Sequence, residues 1–267
     1  MGSERVVGIA RRDGPGERII VADYTEVPDD LSLAGATIIN CVGTDRGSPE
    51  NLQHLNVEVP CAWASAAREQ GARQLVQLSS FSIYGRAEQV SCATQPAPQV
   101  DYGRSKLAAE QALTAERGGL AVSVLRVPIL VSPSGTSGAP DKLAQLAALA
   151  KRLHALPQPH RRVERSMLTY DGLAVAVERV IADAPALACA ADPEPFTYAL
   201  LAGAAREQRI QVLSVPVPAF ASALVSKLAP ALHDRLFASS LLAAEDNILA
   251  GECDFVRLRE VIASHFA

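Results

Sequence analysis

The sequence predicts an α/β protein with a parallel sheet flanked by helices. Two observations carry that prediction. Leu75–Leu78 is a short, mainly apolar run without alternation, stopped by a serine pair, which is the pattern of a strand covered on both faces. Longer stretches at helical spacing stand between it and further strand-like runs, of which Ala121–Leu125 is one. A chain of 267 residues can bury one sizeable core, or one domain and a small cap. The hydrophobic share of 49% and charged share of 20% are ordinary for a globular protein.

In chain order, Arg5–Ala10 reads as a strand. Arg11, Arg12 and Asp13–Gly16 form a polar turn, and Arg18–Val21 and Ala36–Cys41 read as two more strands. Leu52–Gln70 reads as a helix in which Pro60 marks a late start or a kink. Ser79, Ser80 and Ser82 put hydroxyls at and beyond the end of the Leu75–Leu78 strand. Asp101 is placed to cap a helix that runs through Leu107, Ala108, Gln111 and Ala112. After the Ala121–Leu125 strand, Ser134–Gly138 is a flexible loop and Asp141–Leu153 a helix. Asp171 caps a helix over Gly172–Ile181. The remainder, from Ala182, is less patterned. Its apolar helix Ala219–Leu236, interrupted by Pro230, carries few cations, which favours packing on the main domain over lying on a membrane.

Several function classes are disfavoured. The net charge is −4 and no basic block occurs, so nucleic acid is not a suggested partner. Cys41, Cys61, Cys92, Cys189 and Cys253 are dispersed, which speaks against a zinc site or a disulfide framework and suits a reducing cytoplasm. The five histidines form no ligand cluster, so no metal is expected. No signal peptide and no long apolar span is visible, so no membrane partner is expected.

Tyr102 and Lys106 are four apart, so they share one face of their helix. A phenol titrates near pH ~10, and a nearby ammonium favours the phenolate. A serine hydroxyl can hold a substrate oxygen in line. Such a set can move a proton on and off an alcohol while a cofactor carries hydride. The spacing alone is weak: composition yields a Tyr-x-x-x-Lys pair by chance in roughly one such chain in thirteen. The serine-rich strand end just upstream makes it informative.

Ser79-Ser80-Phe-Ser-Ile-Tyr84-Gly85, followed by Tyr102-Gly-Arg-Ser-Lys106-Leu-Ala-Ala-Glu110, resembles the active-site region of the extended short-chain dehydrogenase/reductases. The most similar branch is the NAD-dependent epimerase/dehydratase family that acts on nucleotide sugars. The resemblance implies a Rossmann-like domain over residues 1–181, with 131–165 partly a substrate loop, and a small C-terminal substrate cap over 182–267. It implies Tyr102, Lys106 and Ser80 as catalytic residues. Asn56, 24 residues before Ser80, matches the family's asparagine near the active site. Asp23 and Tyr24 match positions near the adenine, Val42 and Gly43 the cofactor backbone, and Pro128 and Ile129 the nicotinamide. Tyr102 and Lys106 also face the cofactor. Arg11 and Arg12 follow the strand that meets the adenosine ribose, where a guanidinium pairs with a 2′-phosphate, so NADP is favoured slightly over NAD. On the substrate side, the resemblance implies Ser80, Ser82 and the diphosphate-pairing Arg165. A homodimer is an option, because family members commonly pair the helices beside the active site.

One departure is large. Family members begin with a strand, then Gly-x-x-Gly-x-x-Gly, then a helix that cradles the pyrophosphate. Only Met1–Glu4 precede the first strand-like segment here, and Gly14-Pro-Gly16 has the wrong spacing. The resemblance therefore implies a truncated N-terminus in a sheet of order 3-2-1-4-5-6. Three arrangements are open: a fragment or misassigned start, a closed-up sheet with Arg5–Ala10 beside Thr37–Cys41, or a strand from a partner chain. Two functional readings stand together. One is an NAD(P)-dependent enzyme of nucleotide sugars; the other is a catalytically silent member that binds a sugar nucleotide or a partner protein.

Overall fold

The computed structural model describes residues 6–10, 19–115, 118–134, 142–229, 234, 237–252 and 254–267. Arg11 and Arg12 lie outside the described residues, as does the Gly14-Pro-Gly16 turn. The strands are β1 (Gly8–Ala10), β2 (Ile19–Val21), β3 (Thr37–Asn40), β4 (Gln74–Ser80), β5 (Gln89–Val90) and β6 (Ala121–Val127). They continue with β7 (Ile129–Val131), β8 (Ala155–Pro159), β9 (Met167–Thr169), β10 (Leu187–Cys189), β11 (Leu213–Val217) and β12 (Leu241–Leu242). The helices are α1 (Pro49–Gln53), α2 (Val59–Glu69), α3 (Asp101–Ala115) and α4 (Lys142–Leu153). After them come α5 (Tyr170–Asp183), α6 (Tyr198–Glu207), α7 (Ala219–Leu228) and α8 (Leu258–Ser264).

The chain divides into two compact units. The first holds Met1–Gly85, Pro96–Arg126 and Val177–Ala188. Its centre is a four-stranded sheet in the order β10-β6-β4-β3, in which β3 and β4 run parallel with Thr37 opposite Gln74. This is a Rossmann-like α/β arrangement, as expected. Small residues on one face of α2, Ala64 and Ala67, let the helix lie close to Leu75 of β4 and Leu113 of α3, with Trp63 filling the remaining space. The Trp63 indole N–H donates to the Tyr24 carbonyl at 2.9 Å, so the large ring is buried with its polar atom satisfied. Strands β1 and β2 pair in parallel as a separate two-stranded sheet. The closed-up arrangement is therefore not adopted: β1 pairs with β2, and β3 stands at the edge of its own sheet.

The expected helix over Leu52–Gln70 begins earlier, at Pro49, with Ser48 capping it. Pro60 stands in the first turn of α2, the late start read from the sequence. Ahead of it the chain takes a π-helical turn over His54–Glu58, in which the Val59 N–H reaches the His54 carbonyl five residues back. Proline has no N–H to give the carbonyl of Asn56, a loss that the first turn of a helix tolerates. Asp101 is not the cap of α3 but its first residue. Its carboxylate accepts from the Arg104 guanidinium at 2.6 Å, while Arg104 N–H bonds the Val100 carbonyl.

The second unit holds Arg86–Gln95, Val127–Ala176 and Cys189–Ala267. Its core is assembled from helices whose apolar residues recur every third or fourth position: Leu143, Ala147 and Ala150 on α4, Leu201 and Ala205 on α6, Leu258 and Ile262 on α8. The buried carboxylate of Asp192 accepts from the Leu258 N–H at 2.7 Å and pairs with Arg257, fixing the start of α8. Two of the dispersed cysteines meet here, Cys92 Sγ lying 3.0 Å from Cys189 Sγ. In the Ala219–Leu236 segment α7 ends at Leu228, just ahead of the interrupting Pro230, and leaves Phe220, Leu224 and Leu228 exposed. Among the described residues, no helix is long and apolar enough to cross a membrane, and no group of three or more candidate side chains could hold a metal ion.

Inside the first unit, the buried Gln74 side chain ties three elements together. Its amide donates to Ser123 Oγ on β6 at 2.9 Å and to the Val180 carbonyl on α5 at 3.0 Å. Gln74→Leu keeps the volume but strands both acceptors. It is expected to cost about 1–3 kcal/mol in the unfolding free energy, read from urea denaturation of the two proteins.

Candidate active site at the ends of β3 and β4

β4 delivers Ser80 at its last position. Ser80 then caps a short 3-10 turn over Phe81–Tyr84, where its Oγ accepts from the Ser82 N–H and donates to Ser82 Oγ, both at 3.2 Å. Serine caps such turns because its short side chain reaches the N–H two residues on. α3 arrives at this turn by close backbone contact. A Cβ placed on Gly103 would lie 2.5 Å from the Ser82 carbonyl oxygen, so only glycine lets the first turn of α3 approach. Tyr102, the residue before it, thereby meets Ser80, whose hydroxyl hydrogen-bonds the phenol.

Lys106 lies one turn further along α3 and is 5% exposed, an uncommon degree of burial for a lysine. Its ammonium lies by the residues that follow β3, since a Cβ on Gly43 would be 3.7 Å from Nζ. Asn56 comes from the π turn and is fully buried. Its amide donates to the Thr44 carbonyl at 2.9 Å and to Ser105 Oγ at 2.8 Å, and its Oδ1 accepts from the Thr44 N–H at 2.8 Å. Ser105 in turn donates to the Tyr102 carbonyl at 2.9 Å. Asn56 thus joins the loop after β3 to the backbone of Tyr102. Its polar atoms are engaged by protein groups, which suits it to positioning.

Burial raises the Tyr102 phenol above its ordinary value; the hydrogen bond with Ser80 draws it back, and the negative charge of Asp45 adds to the rise. The expected depression of the phenol by Lys106 is not realised in the protein alone, because desolvation of the phenolate outweighs what opposes it. Lys106 is pushed down from 10.5 to about 8 by burial, against the pull of Glu110 and Cys41, which favour its charged form. Beneath it lies a network that the sequence motifs did not single out. Arg126 on β6 grips the buried Glu110 carboxylate through two nitrogens, at 2.7 Å from Nη2 and 3.1 Å from Nε. Ser79 donates its hydroxyl to the same carboxylate. Arg126 Nη1 donates to the Tyr84 hydroxyl at 3.0 Å. The available signal was the position of Glu110, one turn after Lys106, and of Arg126 at a strand end.

The other expected residues fall as follows. Val42 is half-buried and donates its N–H to Asn40 Oδ1 at 3.1 Å. Asp23 is exposed and accepts from the N–H and hydroxyl of Thr25, an Asx-type turn. Tyr24 is half-buried over α2 through its carbonyl bond to Trp63. Ser80, Ser82, Tyr102, Lys106, Asn56, Gly43, Val42, Asp23 and Tyr24 all belong to the first unit. Pro128, Ile129 and Arg165 belong to the second. Ile129 opens β7, paired with Met167 of β9. Arg165 directs its guanidinium at the carbonyls of Ala238, at 2.6 Å, and Asp234, at 2.7 Å.

The family model described as the NAD dependent epimerase/dehydratase family matches residues 10–173. The chain belongs to the NAD dependent epimerase/dehydratase family. This is a family of enzymes, and the match spans the Ser80, Tyr102 and Lys106 region. No curated protein matches the sequence. Solved structures share the fold. A UDP-N-acetylglucosamine 4-epimerase from Bacillus cereus is 15% identical, with 97% of this chain and 88% of that one covered and a TM-score of 0.69. A UDP-glucuronic acid 4-epimerase from Bacillus cereus, in complex with NAD, is 11% identical over 93% and 79% at a TM-score of 0.68. RMD from Pseudomonas aeruginosa, complexed with NADPH, is 16% identical over 92% and 86% at 0.64. NAD(P) is the family's cofactor.

Two outcomes are expected from the site. Gly103→Ala forces α3 away from Ser82 and should cost about 1–3 kcal/mol, seen as a lower thermal midpoint by circular dichroism. Lys106 binds its proton more weakly folded than unfolded, so between pH 8 and 10.5 the unfolded chain holds more protons and stability rises with pH. Replacing Lys106 by Met should therefore stabilise the fold at pH 7, with the gain shrinking by pH 10 in urea titrations.

Proposed function

We propose that this chain oxidises, reduces or epimerises a nucleotide sugar with NAD(P), through Ser80, Tyr102 and Lys106. The observation that carries the reading is a phenol hydrogen-bonded to a serine at a strand end, one helical turn from a buried ammonium. The fit to a dinucleotide is judged from the donor set. Lys106 and Tyr102 stand on one face of α3, where an ammonium and a phenol suit the hydroxyls of a nicotinamide ribose, and Gly43 leaves the chain after β3 without a side chain there. The bound nicotinamide would take or return hydride.

The remaining chemistry belongs to the chain's own groups. Ser80 orients the reacting hydroxyl by sharing a proton between it and Tyr102. Tyr102 moves the proton on or off that oxygen. Its raised pKa keeps the phenol protonated at neutral pH, so the resting group is the acid, and the reverse step needs added positive charge nearby. The Lys106 ammonium supplies charge of that sign. Arg165 serves the substrate diphosphate by exchanging the Asp234 and Ala238 carbonyls for phosphate oxygens, which accept from a guanidinium fork more strongly. Both nucleotide-sugar epimerases above are enzymes of UDP-linked sugars, which supports that substrate class. A cytoplasmic location is part of the reading, in line with cysteines dispersed along the sequence.

A second reading is a catalytically silent member that binds a sugar nucleotide or a protein. It is favoured by one observation: the 267 residues contain no Gly-x-x-Gly-x-x-Gly. Titration of the purified protein with NADPH and with NADH, followed by nicotinamide fluorescence, separates the two. Saturable enhancement supports the enzyme, and none from a folded protein supports the silent member. Tyr102→Phe should lower turnover of UDP-sugars at least about a thousandfold while leaving the circular dichroism spectrum and nicotinamide binding intact. Turnover that survives the change rules out Tyr102 as the acid–base group.

A further inference from the structure

Among the described residues Lys106 has no hydrogen-bonded acidic partner at its tip, yet a carboxylate stands one turn along its own helix. That carboxylate, Glu110, is 5% exposed and is fixed from two other elements, by Arg126 of β6 and by Ser79 of β4. We propose that Glu110 is a positioning residue, the fixed counter-charge that holds the Lys106 ammonium in place at the end of β3. The assignment of a role to Lys106 rests on the reading above; the juxtaposition of the two charges does not.

The geometry distinguishes this from a plain structural ion pair. Arg126 and Ser79 hold Glu110 rigid, so its charge cannot swing to solvent when Lys106 moves. Ser79 immediately precedes Ser80, and Tyr84, bonded to Arg126, closes the turn that Ser80 caps. One carboxylate therefore touches the strand end that carries Ser80 and the helix that carries Tyr102 and Lys106. The titratable groups facing Lys106 are Glu110 and the protonated Tyr102 from α3 and Cys41 from the segment after β3, with Arg126 behind Glu110. The second contributor, Cys41, is exposed as a residue, but desolvation around its sulfur moves the thiol up from an ordinary value already above 7, so it is neutral at pH 7. Glu110 is thus the one full negative charge among them. Its pull opposes the burial that brings Lys106 to about 8.

The test needs neither substrate nor cofactor. The chain has four lysines, Lys106, Lys142, Lys151 and Lys227, so 13Cε labelling gives a resolvable titration, and the Lys106 resonance is the one missing from Lys106→Met. In the parent its midpoint is expected near 8. In Glu110→Gln it should fall by about tenfold in proton affinity or more, while Ser79→Ala, which breaks a contact but keeps the charge, should leave it in place. If Glu110→Gln fails to fold because Arg126 is left uncompensated, the paired change Glu110→Gln with Arg126→Met removes both charges at similar volume and is read the same way. Two results overturn the proposal: an unmoved midpoint without Glu110, or a shift in Ser79→Ala as large as in Glu110→Gln. Both are independent of Tyr102→Phe kinetics, so failure here and failure of the enzymatic reading are told apart.

Discussion

Arg126 and Glu110 are buried together, with side chains 8% and 6% exposed and 2.7 Å between them. Neither charge is tolerable alone at that depth, because the desolvation of an isolated ion costs several kcal/mol. The pair is therefore a constraint as much as an attraction: β6 and α3 must stay in the one register that brings the guanidinium to the carboxylate. Everything at the candidate site is attached to those two elements or to their neighbour. Lys106 and Tyr102 ride on α3, and Ser79 brings in the end of β4, which holds Ser80. Asn56 then fastens the loop after β3 to the same helix through Ser105. The site is rigid because its members share bonded supports, not because each is individually well packed.

The parts legible in the sequence were those set by short-range geometry. Tyr102 and Lys106 share a face because four residues make about one helical turn, and Ser80 follows from a strand that must stop at a serine pair. Asn56 could be found only through the family pattern, since nothing local marks a helix amide as buried. The parts that were not legible depend on distant partners. Gln74 meets Val180 across 106 residues, and Glu110 meets Arg126 across the turn from helix to strand. The depression of the Tyr102 phenol failed for a related reason. Charge proximity can be read from spacing, but burial, which opposes it, is a property of the whole fold.

The second unit shows the same division. Helical spacing marks the core face of α4 correctly, because that face is dense in leucine and alanine. It misleads at α7, where Phe220, Leu224 and Leu228 recur at the same spacing yet are exposed and the buried residue is Ser222. Periodicity locates an apolar face without saying whether anything covers it. Arg165 is a different case: the resemblance implies an anion there, and in the protein its guanidinium donates to the carbonyls of Ala238 and Asp234.

The π turn at His54–Glu58 carries a lesson about chain length. A π turn holds one residue more than an α turn, and each residue of an α-helix adds a rotation of roughly 100°. Asn56, within the turn, must face Thr44 and Ser105, while Trp63, two turns later, must face the core around Leu75. An uninterrupted α-helix of this length would serve only one of those directions. The extra residue thus offsets the two halves of the segment by one position. Alignment of this segment with helices that lack it will misplace either Asn56 or Trp63 by one position, and a one-residue deletion here separates polar anchoring from core packing within a single element.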